Sequence, residues 1–259
     1  LTSTRMMSKA WAEANDVVEV QNFAAGEENY AARNVNGTGA FILGERVPDS
    51  RTVLRQNPDY WGQGEFPLEI TELIMTPIQN PATRVAALLS GEVDFIQEVP
   101  VQDLERIAST PGIVLGNAPQ NRTIFFGLNV EDTDLETDNV EGRNPFADIR
   151  VREAMNIAIN RDAIKQVVMR GQSQPTGVIM PPFVNGWTES LDQYPAHDIE
   201  RAQELMAEAG YADGFSTVLD CPNDRYVNDE AICQAAVAMF GQIGIDVTLE
   251  ARPRAQHFP

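Results

Sequence analysis

The sequence predicts an α/β fold, and three features carry that expectation. Near the end of the chain, "FSTVLDC" (215–221) reads as a strand, "VNDEAICQAAVAMFGQIG" (227–244) as a helix and "IDVTLEAR" (245–252) as a second strand. Strand, helix and strand with short connections make a βαβ unit over 215–251, which implies a parallel pair and a right-handed crossover. Residues 40–56 read as an antiparallel hairpin turned at Pro48-Asp49-Ser50. Between these, helical and strand-like periodicities alternate. The 259 residues are 43% hydrophobic and 22% charged, ordinary for one large or two smaller globular domains.

Taken in order, "LTSTRMMSKAWAEAND" predicts a helix with Met6, Met7, Ala10 and Trp11 on one face, ended by Asn15-Asp16. Strands are expected over 40–46 and 51–56, and "LEITELIMTPI" (68–78) alternates like another. Asn80 then caps a helix with Pro81 in its first position, Val85, Leu88 and Leu89 facing inward and Gly91 past its end. "VDFIQEV" (93–99) reads as a strand, and "VQDLERIAS" (101–109) as a short helix closed by Pro111-Gly112. "RTIFFGLNV" (122–130) is the strongest strand signal in the middle of the chain. After it, "DIRVREAMNIAINRDAIKQVVMRG" predicts one or two helices with Val151, Met155 and Ala158 inward. "DIERAQELMAEAG" predicts another, stopped by Gly210, and Asn228 or Asp229 caps the helix of the βαβ unit.

Composition and motif tests remove several function classes. A formal net charge of −19 repels nucleic-acid phosphates and anionic lipid, so neither is an expected partner. No apolar run reaches the roughly 18 residues of a membrane span. Gly37-Thr38-Gly39 precedes the strand-like "AFIL" rather than a helix, so it fails the dinucleotide fingerprint, and no Lys-Ser or Lys-Thr completes a phosphate loop. The acidic stretch "EDTDLETDNVEGRNP" has Thr137 and Arg143 where a calcium loop counted from Asp132 needs glycine and glutamate. With two histidines, two cysteines and no G-x-S-x-G elbow, no catalytic residues, zinc site or cofactor site are expected. Both termini read as cut, so the chain is expected to be an internal piece of a longer protein.

Four stretches give a more specific reading: "NGTGAFILGERVPDSRTVLRQNPDYWG", "NPATRVAALLSGEVDFI", "NPFADIRVREAMNIAINRDAI", and "ERAQELMAEAGYADGF" leading into "IGIDVTLEARPRAQHF". In this order they resemble the periplasmic solute-binding proteins of dipeptide, oligopeptide and nickel ABC importers, the family 5 extracellular solute-binding proteins. The resemblance implies a two-lobed, type II periplasmic-binding-protein-like fold, incomplete here. Residues 1–118 would form a middle segment of the first lobe and 119–259 the first part of the second, with a hinge strand near 115–122. Tyr60-Trp61 would anchor the end of the hairpin in the core of the first lobe.

The implied function is to bind a peptide or similar solute in the interlobe cleft, outside the cytoplasmic membrane, and deliver it to importer permease subunits. The alternative is a sensory or chaperone-like protein of the same fold. A dipeptide, a longer peptide, nickel, an opine or a sugar all remain open as cargo, and the main ligand clamps are expected beyond residue 259. Phe125, Gly127 and Asn129 share one face of the 122–130 segment, and the resemblance turns that face toward the cleft. Met169 is a further candidate ligand contact. Cys221 and Cys233, with eleven residues between them, are either two buried thiols or a disulfide. The exported nature of the family implies the disulfide, in a periplasmic location.

Overall fold

The computed structural model describes residues 7–22, 25–118, 120–131, 135 and 139–258. The chain divides into two compact units, Leu1–Thr83 and Arg84–Pro259.

In the first unit, helix α1 (Lys9–Ala14) starts at Ser8, whose hydroxyl accepts the Trp11 N–H, and ends at Asn15. It is shorter than its periodicity implies and buries no residue. Met6 lies outside the described residues, Met7 is exposed, and Trp11 is half-buried against the Tyr30 ring at 5.8 Å. Strands β1 (Phe41–Val47) and β2 (Arg51–Gln56) form the expected hairpin, in register from Phe41 opposite Gln56 to Val47 opposite Arg51. The register shifts between Leu43 and Glu45, at Gly44. Asp49 takes a left-handed φ of 56° to close the turn. Strand β3 (Glu72–Met75) adds antiparallel to β2 and occupies only the centre of the expected 68–78 run.

The Tyr60-Trp61 pair corrects an expectation. Within this chain Trp61 is 74% exposed, so the described residues do not bury it as a core anchor. Its indole N–H donates to the Thr38 carbonyl at 3.1 Å, and the Asn57 amide donates to the Gly39 carbonyl at 3.0 Å. The glycine turn and the aromatic turn are therefore clipped together by polar contacts. An indole carries a donor that needs a partner, and here that donor is satisfied from the rim of the unit.

Helix α2 (Pro81–Ser90) crosses the division between the units. Asn80 caps it as expected, accepting the Thr83 N–H at 2.9 Å, and Gly91 follows it at a φ of 76°. Val85 and Ala87 are its buried residues, whereas Leu88 and Leu89 are half-buried. No strand forms over 93–99: Glu98 takes a φ of 55°, which breaks any extended run there. Helix α3 (Leu104–Ala108) follows a 3-10 turn and buries Ile107.

The core of the second unit lies between three helices and a parallel pair. Helix α4 (Ile149–Ala158) is capped by Asp148 and buries Val151, Ala154, Met155, Ile157 and Ala158. A short helix α5 (Arg161–Ala163) runs into a π-helical turn, Ile164–Val168. Helix α6 (Ile199–Glu208) buries Ala202, Leu205 and Met206. Gly210 ends it at a φ of 88°, with the Tyr211 N–H on the Met206 carbonyl and the Gly210 N–H on the Ala207 carbonyl. Strands β4 (Phe215–Pro222) and β5 (Ile245–Arg252) are parallel, Phe215 opposite Ile245 through Pro222 opposite Arg252. Helix α7 (Asp229–Gly241) joins them and buries Ile232, Cys233, Ala236 and Phe240. A last turn, α8 (Arg254–His257), follows.

Candidate functional site

The segment 122–130 corrects a further expectation, because it forms no strand. A strand is defined by its ladder, and this segment pairs with no other strand among the described residues. Its period-2 pattern survives in burial. Phe126 and Leu128 pack against the second unit's core, Phe126 edge-on to Phe240 at 6.2 Å, while Phe125, Gly127 and Asn129 are exposed. The three residues chosen from sequence therefore share the solvent side.

Side chains hold the segment where a ladder does not. The Thr123 hydroxyl donates to the Ile179 carbonyl at 2.6 Å, and the Asn144 amide donates to the Asn129 carbonyl at 2.9 Å. The Asn129 side chain accepts the Glu131 N–H at 3.2 Å. Just before the segment, the Asn117 amide donates to Gln172 at 2.9 Å. Met169 sits half-buried at the end of the π-helical turn, three residues before Gln172.

The loop that carries Ile179 is clipped at Asp192. That carboxylate accepts from the Thr176 hydroxyl at 2.5 Å, the Gly177 N–H at 2.8 Å and the Trp187 indole at 3.0 Å. These donors hold its pKa below the ordinary carboxylate value, the Thr176 hydroxyl most of all. A Cβ on Gly177 would fall 2.0 Å from the Gln193 carbonyl oxygen, so the approach requires glycine.

Sequence reasoning missed a cationic cluster at the start of the same segment. The guanidinium carbons of Arg122 and Arg225 lie 5.3 Å and 4.9 Å from the centre of the Tyr226 ring. Arg122 also faces Glu98 at 3.9 Å. The signal was the turn "NDRY" between β4 and α7, at the carboxyl end of a parallel strand, where α/β sheets place ligands.

Cys221 and Cys233 form the expected disulfide, joining the end of β4 to the first turns of α7. The histidines serve separate places: His197 meets the Ile157 carbonyl and His257 the Asp220 carboxylate. Among the described residues no three His, Cys, Asp or Glu side chains gather to hold a metal ion. No helix among them is long and apolar enough to cross a membrane. The acidic loop tested for calcium lies largely outside the described residues.

The comparisons define the class. The bacterial extracellular solute-binding proteins, family 5 (middle), match residues 4–258, and the chain belongs to that family. It is 29% identical over 220 residues to the glutathione-binding protein GsiB of Salmonella choleraesuis, covering 85% of this chain and 40% of that protein. It is 30% identical over 181 residues to the heme-binding protein A of Haemophilus influenzae, covering 70% of this chain and 30% of that protein. Among solved structures it resembles the ABC transporter-associated periplasmic binding protein DppA of Helicobacter pylori, in complex with the peptide STSA. That match has a TM-score of 0.74 at 24% identity and covers 97% of this chain and 44% of the other. The fold is thus that of the type II periplasmic binding proteins, present in part, and the chain spans 40% of the first of these relatives.

Proposed function

We propose that the protein is the extracytoplasmic substrate-binding component of an ABC importer, which holds a peptide or similar small solute in a cleft between two lobes and delivers it to the permease. The observation that carries this reading is the family match across residues 4–258. On this reading residues 1–118 belong to the first lobe and 119–259 to the second, with the hinge near 115–122. Phe125, Gly127 and Asn129 contact the solute, and their shared exposure opposite Phe126 and Leu128 supports that role. Met169 is the fourth contact. The protein works in the periplasm and releases its solute chemically unchanged. The ligands in the names of the similar proteins, glutathione, heme and a peptide, differ in size but all bear free carboxylates, which supports a carboxylated solute as cargo.

The test is a thermal-shift screen of the full-length protein against peptide pools, followed by calorimetry and mass spectrometry of the released ligand. A true ligand at about a hundred times its Kd should stabilise the protein by about 2.7 kcal/mol and emerge intact. Absence of any shift, or turnover beyond one equivalent, would overturn the proposal.

A further inference from the structure

The geometry points to an anion subsite built from Arg122, Tyr226 and Arg225, which takes the carboxylate of the bound solute; this rests on the solute-binding reading above. Both guanidinium groups lie over one ring, at 5.3 Å and 4.9 Å from its centre. Stacking fixes the plane of a guanidinium and leaves its N–H edge free for the bidentate pairing that a carboxylate offers.

The chain has 38 acidic residues against 19 basic ones, so an arginine without a carboxylate partner calls for a reason. Arg225 is half-buried, and among the described residues its guanidinium meets the Tyr226 ring and no carboxylate. The acids of its own loop are engaged elsewhere. Asp229 is buried, and its carboxylate accepts the backbone N–H groups of Arg225, Tyr226 and Glu230. Asp224 accepts the Arg254 N–H at 2.5 Å. Arg122 meets Glu98 only at 3.9 Å, well beyond the roughly 2.8 Å of a charge-assisted hydrogen bond. A solute carboxylate can therefore supply the close contact that both arginines lack.

Backbone strain marks the same place. Glu98 and Asn228 both adopt left-handed conformations, at φ 55° and 56°, which are costly outside glycine and cluster at ligand clamps and switch regions. Arg84 pins the first through a 3.1 Å hydrogen bond to the Glu98 carbonyl. Asn228 pins the second by donating to the Val168 carbonyl at 2.8 Å, next to Met169. Arg122 also opens the segment bearing Phe125 and Gly127. At no more than about 3.4 Å per residue, these lie within roughly 10 and 17 Å of chain, the span of a short peptide.

The experiment uses the full-length protein and a pool of Ala-x-Ala tripeptides, supplied as free acids and as C-terminal amides. Calorimetry should show the acids binding on the order of tenfold tighter than the amides. Arg225→Gln and Arg122→Gln should each weaken the acids more than the amides and so shrink that ratio, and Arg225→Lys should restore part of it. If both pools weaken together in the Gln variants, the arginines only brace the loop and the subsite is wrong. Should Arg225→Gln fail to fold, the wild-type ratio and Arg225→Lys decide. A wild-type ratio near one, with both pools bound, rejects the subsite and keeps the solute-binding reading. Binding of neither pool removes both.

Discussion

Asp148 shows how one side chain can serve a helix end and an ion pair together. It accepts the Arg150 N–H at 2.9 Å as the cap of α4, and the Arg150 guanidinium at 2.5 Å. The guanidinium hydrogen bond is the main reason its carboxyl is held at about 2 rather than 3.8. The folded value lies below the unfolded one, so this stabilisation is complete above about pH 4 and is lost as pH falls through about 2. Asp148→Ala should cost about 0.5–2 kcal/mol in urea titrations at pH 7 and flatten the acid limb of the stability profile. An unchanged urea midpoint would remove the cap from the account. Trp61 is the opposite case. Being 74% exposed with one hydrogen bond, its replacement by Phe should cost no more than about 1 kcal/mol, whereas a true core anchor would cost several. The cap at Asn80 and the stop at Gly210 follow from local chemistry, and sequence shows them. Whether an indole faces inward depends on what the rest of the chain places over it, and no local rule supplies that.

Among elements, the order and pairing of the βαβ unit were legible and the 122–130 segment was not; the expected side-chain cap of α7 is also missing, since Asn228 donates to the Val168 carbonyl instead. Strand β4, helix α7 and strand β5 are contiguous, so propensity, alternation and short connections all point to the same pairing. The 122–130 segment has as strong a strand pattern, but a ladder also needs a partner, and partners are set by distant parts of a chain. Its exposed face, and with it the position of Phe125, Gly127 and Asn129, could still be read because alternation governs burial with or without a ladder. The arginine cluster on Tyr226 joins positions about a hundred residues apart, so the local turn "NDRY" signals only its Arg225-Tyr226 half. Two glycines test the packing of the parallel pair. At Gly214, with φ 73°, a Cβ would fall 1.8 Å from the Gly244 carbonyl oxygen, so Gly214→Ala should cost at least about 2 kcal/mol. At Gly241, the last residue of α7, a Cβ meets nothing within 4 Å, and Gly241→Ala should stabilise by about 0.5–1 kcal/mol. Equal thermal midpoints for the two variants would contradict this packing. The Cys221–Cys233 disulfide constrains the same connection, and replacing both cysteines by alanine should cost about 3 kcal/mol in denaturant. In the intact protein, thiol labelling should require prior reduction.

Over the whole molecule, buried apolar side chains are unevenly shared. Among the described residues of Leu1–Thr83, Val53 is the buried apolar side chain, while Leu73, Ile74 and Met75 of β3 and Ile42 of β1 are exposed. The second unit has the continuous cluster from Phe146 through Met155, Leu205, Phe215 and Phe240 to Ile245. Full burial of one such side chain contributes about 1.5–3 kcal/mol, so the second unit holds most of the hydrophobic stabilisation of this chain. The tryptophans report on the two units separately: Trp11 and Trp61 lie in the first and Trp187 in the second. Trp11 is half-buried against Tyr30, and Trp187 is tied to Asp192 by its indole N–H at 3.0 Å, so each should change its emission when its own unit opens. Variants of this chain retaining only Trp11 or only Trp187, the others replaced by Phe, should therefore unfold in urea at different midpoints, with Trp11 responding first. A single two-state transition requires the probes to coincide. Superimposable curves would show that the first unit draws its stability from the second, and that local burial is the wrong measure of its strength.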